Sequence, residues 1–151
     1  MEIRKIVIAT DGSPASAAAL DFGLELARDR GAEAVALHVA STRDVEHLFS
    51  PERTDAPSQA ELADASDALA QAAHFAKGQS VEIVLELVAA DGTEAVADAI
   101  IGVTMGRDAD VIVMGTRGHG RLASAVLGSV SNAVLRAPGK ASVIVVREPE
   151  A

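Results

Sequence analysis

The chain contains no cysteine, no tryptophan and no tyrosine, and its three phenylalanines make aromatics only 2% of 151 residues. Without a thiol there is no disulfide, no thiolate metal site and no cysteine nucleophile. So thin an aromatic complement argues against aromatic cages, base-stacking platforms and a flavin held between indole and phenol rings. Lysine is scarce too, standing only at Lys5, Lys77 and Lys140. With 13 basic against 22 acidic residues the net charge is −9, which repels a phosphate backbone and argues against unassisted nucleic-acid binding. No apolar run reaches membrane-spanning length, and the opening MEIRKIVIATDG runs into a strand without a signal-type apolar core. A cytoplasmic protein with no membrane contact is expected.

What is present is aliphatic. Hydrophobic residues make up 49% of the chain, enough for a two-sided core in one domain spanning residues 1–151. Residues 6–9 are continuously apolar, as in a strand covered on both faces. Ser13 then reads as a helix N-cap with Pro14 at the first helical position, and Gly31 closes that helix. A second strand is expected at 35–39. Residues 41–57 turn polar and contain Pro51 and Pro57, so they read as a flexible excursion. Ser58 and Glu61 have capping-box spacing at the head of one helix reaching Gly78, with Leu62, Ala65, Leu69, Ala72 and Ala76 as its apolar stripe.

The third strand alternates Val81, Ile83, Leu85 and Leu87 with Glu82 and Glu86, so one face should be wet, as at a sheet edge. A third helix is expected at 93–105, facing Val96, Ile100 and Val103 inward, ended by Gly106 and with Gly102 permitting close packing. Strands at 111–114 and 143–146 flank a last helix at 129–136. Five strands alternating with helices predict an α/β three-layer sandwich with a parallel sheet and right-handed crossovers.

The stretch 111–132, VIVMGTRGHGRLASAVLGSVSN, organises the rest. Its apolar strand runs into Gly115, expected to turn the backbone through positive φ, and on into a loop with Gly118, Gly120 and Gly128. Ser129 and Ser131 then open a helix, where free amides and partial positive charge favour phosphate. Their hydroxyls could add donors or cap the helix. A Walker loop is not matched, because Arg121 and Leu122 stand where lysine and a hydroxyl are required. The loose dinucleotide pattern Gly118, Gly120, Ala123 lacks a ribose-binding acid within about 20 residues.

Gly115, Gly118, Gly128 and Ser129 satisfy G-x2-G-x9-G-[ST] without a gap, and in this the chain resembles the ATP-binding branch of the universal stress protein family. The resemblance implies the adenine-nucleotide alpha hydrolase-like, Rossmann-like fold with strand order 3-2-1-4-5. It implies ATP, or ADP or AMP, with Mg²⁺, held by Met114, Gly115, Arg117, Gly118, Gly128, Ser129, Val130 and Ser131. Thr10 and the backbone of Val39 would line the ribose and adenine end. Asp11 suits a ribose hydroxyl or, through water, a phosphate-bound Mg²⁺; an Asp-Gly pair is equally a turn former. The family also implies a homodimer through the last strand, and Val143, Ile144, Val145 and Val146 lack any charge or proline to blunt that edge.

With that strand order, the winding reverses between strands one and four, where Asp11 and Gly115 leave the sheet and where a ligand is expected. The leading expectation is a dimeric nucleotide-binding stress or signalling module whose loop at 116–127 responds to occupancy. The alternative is a slow ATP hydrolase or autophosphorylating enzyme, since no Walker lysine and no second acid beside Asp11 support efficient transfer. A nucleotide-free structural dimer fits the intact glycine signature less well. A receiver domain is excluded by the lone Asp11 after strand one and by Lys140 preceding the last strand. His38, His47 and His74 have no close-spaced ligand partner, which favours structural roles, while His119 lies in the phosphate loop.

Overall fold

The computed structural model describes residues 1–116, 127–137 and 139–149. Its five strands are β1 (Lys5–Ala9), β2 (Glu33–Ala40), β3 (Ile83–Ala89), β4 (Val111–Gly115) and β5 (Ser142–Val146), all parallel in the order β3-β2-β1-β4-β5. Between them run α1 (Pro14–Arg30), α2 (Thr42–Val45), α3 (Gln59–Ala65), α4 (Asp67–Gly78), α5 (Thr93–Gly106) and α6 (Ser129–Arg136), with a 3₁₀ turn at Glu46–Phe49 after α2. No helix among the described residues is long and apolar enough to cross a membrane.

Two cores flank the sheet, and strand alternation divides them. Ile6, Ile8, Val111 and Val113 face Leu20 and Leu24 of α1 and Leu69 of α4. Val7, Ile112 and Met114 face the other way, with Ile100 of α5 and Val134 of α6. Because residues 6–8 of β1 and 111–114 of β4 thus have buried destinations on both faces, those stretches read as unbroken apolar runs. Each fully buried Ile, Leu or Val contributes roughly 1.5–3 kcal/mol relative to exposure.

The termini of α1 form as their residues dictate. The Ser13 hydroxyl accepts from the Ser16 amide at 3.2 Å, Pro14 occupies the first turn, and Gly31 ends the helix at φ 64. The capping box is complete as well, with Glu61 N donating to Ser58 Oγ at 3.1 Å and Ser58 N donating to Glu61 Oε1 at 3.2 Å.

Several expectations need correction. The single helix expected over 58–78 is two, broken at Ser66, whose backbone is extended (φ −140, ψ 119) and whose hydroxyl accepts from Leu69 N to cap α4. The apolar stripe stays in phase through the break, which hides it from periodicity. Residues 41–57 are not simply a polar excursion: α2 and the 3₁₀ turn bury Val45 and Leu48 in the first core. The face of β3 expected to be wet is partly covered, since Val84 and Val88 pack on the second core and Glu86 pairs with Arg107 at 2.5 Å. On α5 the buried residues are Ala97, Ile100 and Thr104, with Val96 and Val103 only partly buried. A Cβ on Gly102 would meet nothing within 4 Å, so that glycine serves no close contact, and the left-handed turn beyond α5 falls on Asp108 (φ 56).

Candidate functional site

Parallel strands place all five carboxyl ends along one edge, and the order β3-β2-β1-β4-β5 puts the reversal of winding between β1 and β4. The loop leaving β1 is tightly bonded. Thr10 N donates to Leu37 O at 2.9 Å, and His38 Nδ1 lies 2.9 Å from Thr10 O. The Ser16 hydroxyl accepts from Thr10 Oγ1 at 3.2 Å and from Asp11 N at 3.3 Å while donating to Ser13 O at 3.0 Å, so its one proton and both lone pairs are used. Asp11 Oδ1 accepts from Ser13 N at 2.9 Å, closing a turn in which Gly12 takes φ 83, a conformation that favours glycine. The turn-forming role of Asp11 is therefore present, with the side chain half-buried.

On the other side of the reversal, β4 ends at Gly115. Its glycine is required for a reason other than the positive φ expected: a Cβ there would sit 2.7 Å from both the carbonyl carbon and oxygen of Ala15, so the first turn of α1 rests directly on the strand. Thr116 N donates to Val146 O at 3.1 Å, which ties this exit to β5. The chain returns at Gly128, whose amide donates to Thr116 O. Gly128 is the N-cap of α6 and supplies no side-chain bond, so the Ser129, Val130 and Ser131 amides form the uncapped first turn.

Ser131 neither caps the helix nor offers a spare donor. Its buried hydroxyl donates to Gly115 O at 2.8 Å and clamps α6 onto the end of β4. Ser129, by contrast, is exposed. A continuous path of contacts thus joins the two exits: Asp11 to Ser16, the α1 first turn to Gly115, and Gly115 to Ser131. Met114 is buried in the second core, and Val39 packs against the same core from β2. Arg117, Gly118, His119, Gly120 and Arg121 lie outside the described residues.

At the same edge, Asp91 accepts from Thr42 Oγ1 at 2.7 Å and from Thr42 N at 3.1 Å, joining the loops that follow β2 and β3. The Thr42 hydroxyl, helped by its amide, holds the Asp91 carboxyl below the usual range. Beside this link, Thr42, Glu46, Phe49, Leu87, Val88 and Ala89 line a shallow hollow. Among the described residues no group of three His, Asp or Glu side chains is placed to hold a metal. Two residues that brace the loop after β1, Ser16 of α1 and His38 of β2, escaped the sequence reading. Ser16 carried a signal, lying one turn after the N-cap Ser13, whereas the pairing of His38 with Thr10 depends on strand register and had none.

The sequence profile of the universal stress proteins matches residues 2–147. The chain belongs to the universal stress protein family. It is 30% identical over 147 residues to a universal stress protein of Methanocaldococcus jannaschii, covering 97% of this chain and 84% of that one. In fold it is similar to a universal stress protein solved in complex with cAMP (TM-score 0.68, 23% identity, 99% and 100% of the two chains covered). It is likewise similar to the universal stress protein of Archaeoglobus fulgidus in complex with dAMP (TM-score 0.64, 24% identity, 97% and 99% covered). The Rossmann-like architecture of these universal stress proteins is the one this chain adopts.

Proposed function

We propose that this universal stress protein is an ATP-binding module whose nucleotide lies across the carboxyl edge of the sheet between β1 and β4. The observation that carries the reading is the uncapped start of α6, fixed to the end of β4 by the Ser131 hydroxyl at the point where the winding reverses. Three helix-start amides, on Ser129, Val130 and Ser131, offer a polyphosphate local partial positive charge in a chain whose net charge is −9. Met114, Gly115, Arg117, Gly118 and the remainder of the glycine signature complete the phosphate loop, while Asp11, Thr10 and the backbone of Val39 take the ribose and adenine end. One carboxylate together with phosphate oxygens is a donor set that suits Mg²⁺, so Asp11 fits a water-mediated role toward it. The cAMP and dAMP complexes of related folds support an adenine nucleotide.

The same reading has the protein acting in the cytoplasm as a homodimer paired through Val143, Ile144, Val145 and Val146. All four are only half-buried on an edge strand without charge or proline. Occupancy of the nucleotide site would alter loop 116–127 and with it a partner surface.

Titration with a fluorescent ATP analogue in Mg²⁺ tests the site. Wild-type protein gives saturable binding, and Ser129→Asp, which places a carboxylate where phosphate would sit, abolishes it. Equal binding by both proteins removes α6 from the site, and no wild-type binding ends the nucleotide reading. A monomeric mass at micromolar concentration overturns the β5 pairing.

A further inference from the structure

We propose that His38 is the positioning residue of the nucleotide site, setting the orientation of the peptide from which Asp11 departs; this rests on the nucleotide reading above. A carbonyl oxygen only accepts, so the 2.9 Å contact between His38 Nδ1 and Thr10 O requires a proton on Nδ1. In the neutral ring that leaves the lone pair on Nε2. The carbonyl belongs to the Thr10–Asp11 peptide, and in a trans peptide the N–H points opposite to the C=O. On that opposite side Asp11 N donates to Ser16 Oγ at 3.3 Å.

One peptide plane is therefore held from both directions, by β2 through His38 and by the first turn of α1 through Ser16. The next bond along the chain, from Ser13 N to Asp11 Oδ1 at 2.9 Å, sets the side chain on that fixed frame. Gly12, at φ 83, gives the backbone beyond Asp11 a freedom that other residues lack. The anchor on the Thr10 carbonyl is what keeps this freedom from reaching Asp11. Thr10 is 4% exposed, so water is poorly placed to replace the imidazole if it is removed. The residue beside the histidine is Val39, so one short piece of β2 supplies both the anchor and a wall of the same site.

The full chain is titrated with the fluorescent ATP analogue in Mg²⁺. His38→Ala binds about tenfold more weakly than wild type, the loss expected for one buried hydrogen bond. His38→Asn, whose side-chain N–H falls near the place of Nδ1–H, recovers most of it. In an Asp11→Ala background His38→Ala adds little further loss, because the two residues act as a unit. Wild-type affinity in His38→Ala overturns the role, as does a fully additive double variant or an asparagine no better than alanine. A wild-type protein that binds no analogue overturns the nucleotide reading and this role with it. Should the alanine variant not fold, nitrogen-15 NMR of the wild-type ring decides: a neutral His38 protonated at Nε2 overturns the proposal, and one protonated at Nδ1 upholds the bond on which it stands.

Discussion

Gln59 stands to Leu85 as a neighbouring strand would: Leu85 N donates to Gln59 Oε1 at 2.7 Å, and Gln59 Nε2 donates to Leu85 O at 3.0 Å. Ala90 N donates to Ala40 O, so even-numbered residues of β3 turn their backbone groups toward β2 and odd-numbered ones turn outward. Leu85 belongs to the outward set. One carboxamide at the head of α3 therefore satisfies both groups of an outward-facing residue of the edge strand. Gln59→Ala leaves them unpaired, and the midpoint of urea unfolding should fall by the equivalent of about 1–3 kcal/mol. Amide exchange at Leu85 should accelerate with it; unchanged protection there means the carboxamide does not seal the edge.

Gly115 and Gly102 should respond in opposite directions to the same substitution. Gly115→Ala drives a Cβ to 2.7 Å from the backbone of Ala15, which cannot give way as a flexible side chain would. A destabilisation of about 1–3 kcal/mol follows, seen as a lower Tm. Gly102 lies exposed inside α5 with nothing within 4 Å of the added carbon, so Gly102→Ala should stabilise by about 1 kcal/mol. A raised Tm for the first or a lowered Tm for the second contradicts the packing described.

Two serines of α6 separate stability from binding. Ser131→Ala removes the buried hydroxyl from Gly115 O and leaves that carbonyl with one partner fewer, costing about 1 kcal/mol in thermal unfolding. Ser129 is exposed and forms no cap, so Ser129→Ala should change stability by less than about 0.5 kcal/mol while weakening the ATP analogue. If Ser129→Ala lowers Tm as Ser131→Ala does and leaves affinity intact, the division of roles is wrong.

Acid should erode stability through three carboxyls held below their ordinary range. The Arg53 guanidinium lowers Glu61, the Thr42 hydroxyl lowers Asp91, and the Arg4 amide lowers Asp110. A carboxyl with a folded pKa below its unfolded one adds stability above the unfolded value and loses it as pH falls through the folded value. The loss therefore sets in below about pH 4.5 and deepens toward more acid solution. Asp110 accepts from Arg4 N at 2.8 Å and Lys5 N at 3.1 Å, tying the start of β4 to β1. Asp110→Asn should flatten the acid limb of the denaturation midpoint against pH; an identical limb excludes its contribution.

Local chemistry made much of this legible in the sequence. Ser13, Pro14 and Gly31 state their roles in α1 without help from the rest of the chain, and so do Ser58 and Glu61 at α3. The unbroken apolar runs of β1 and β4 announced a sheet covered on both faces, and the alternation in β3 announced an edge. What stayed hidden depends on contacts between distant segments. Glycine at 115 answers either a backbone angle or a close neighbour, and only the seat of α1 on β4 decides between them. Ser66 can lie within a helix or start a new one, and Leu62 and Leu69 keep the same phase either way. At the candidate site, the residues leaving β1 and β4 were legible, whereas the bonds from His38 to Thr10 and from Ser131 to Gly115 follow from register.

A ribbon bordered by two bare margins can recruit copies head to tail without end, each newcomer presenting the same vacancy it has just filled. Here Gln59 takes up both backbone groups of Leu85 on one margin and β5 forms the other, so under the proposed pairing a second molecule joining along β5 would meet its twin. With the β3 margin so engaged, the proposed pairing would close as a couple and not grow into a filament.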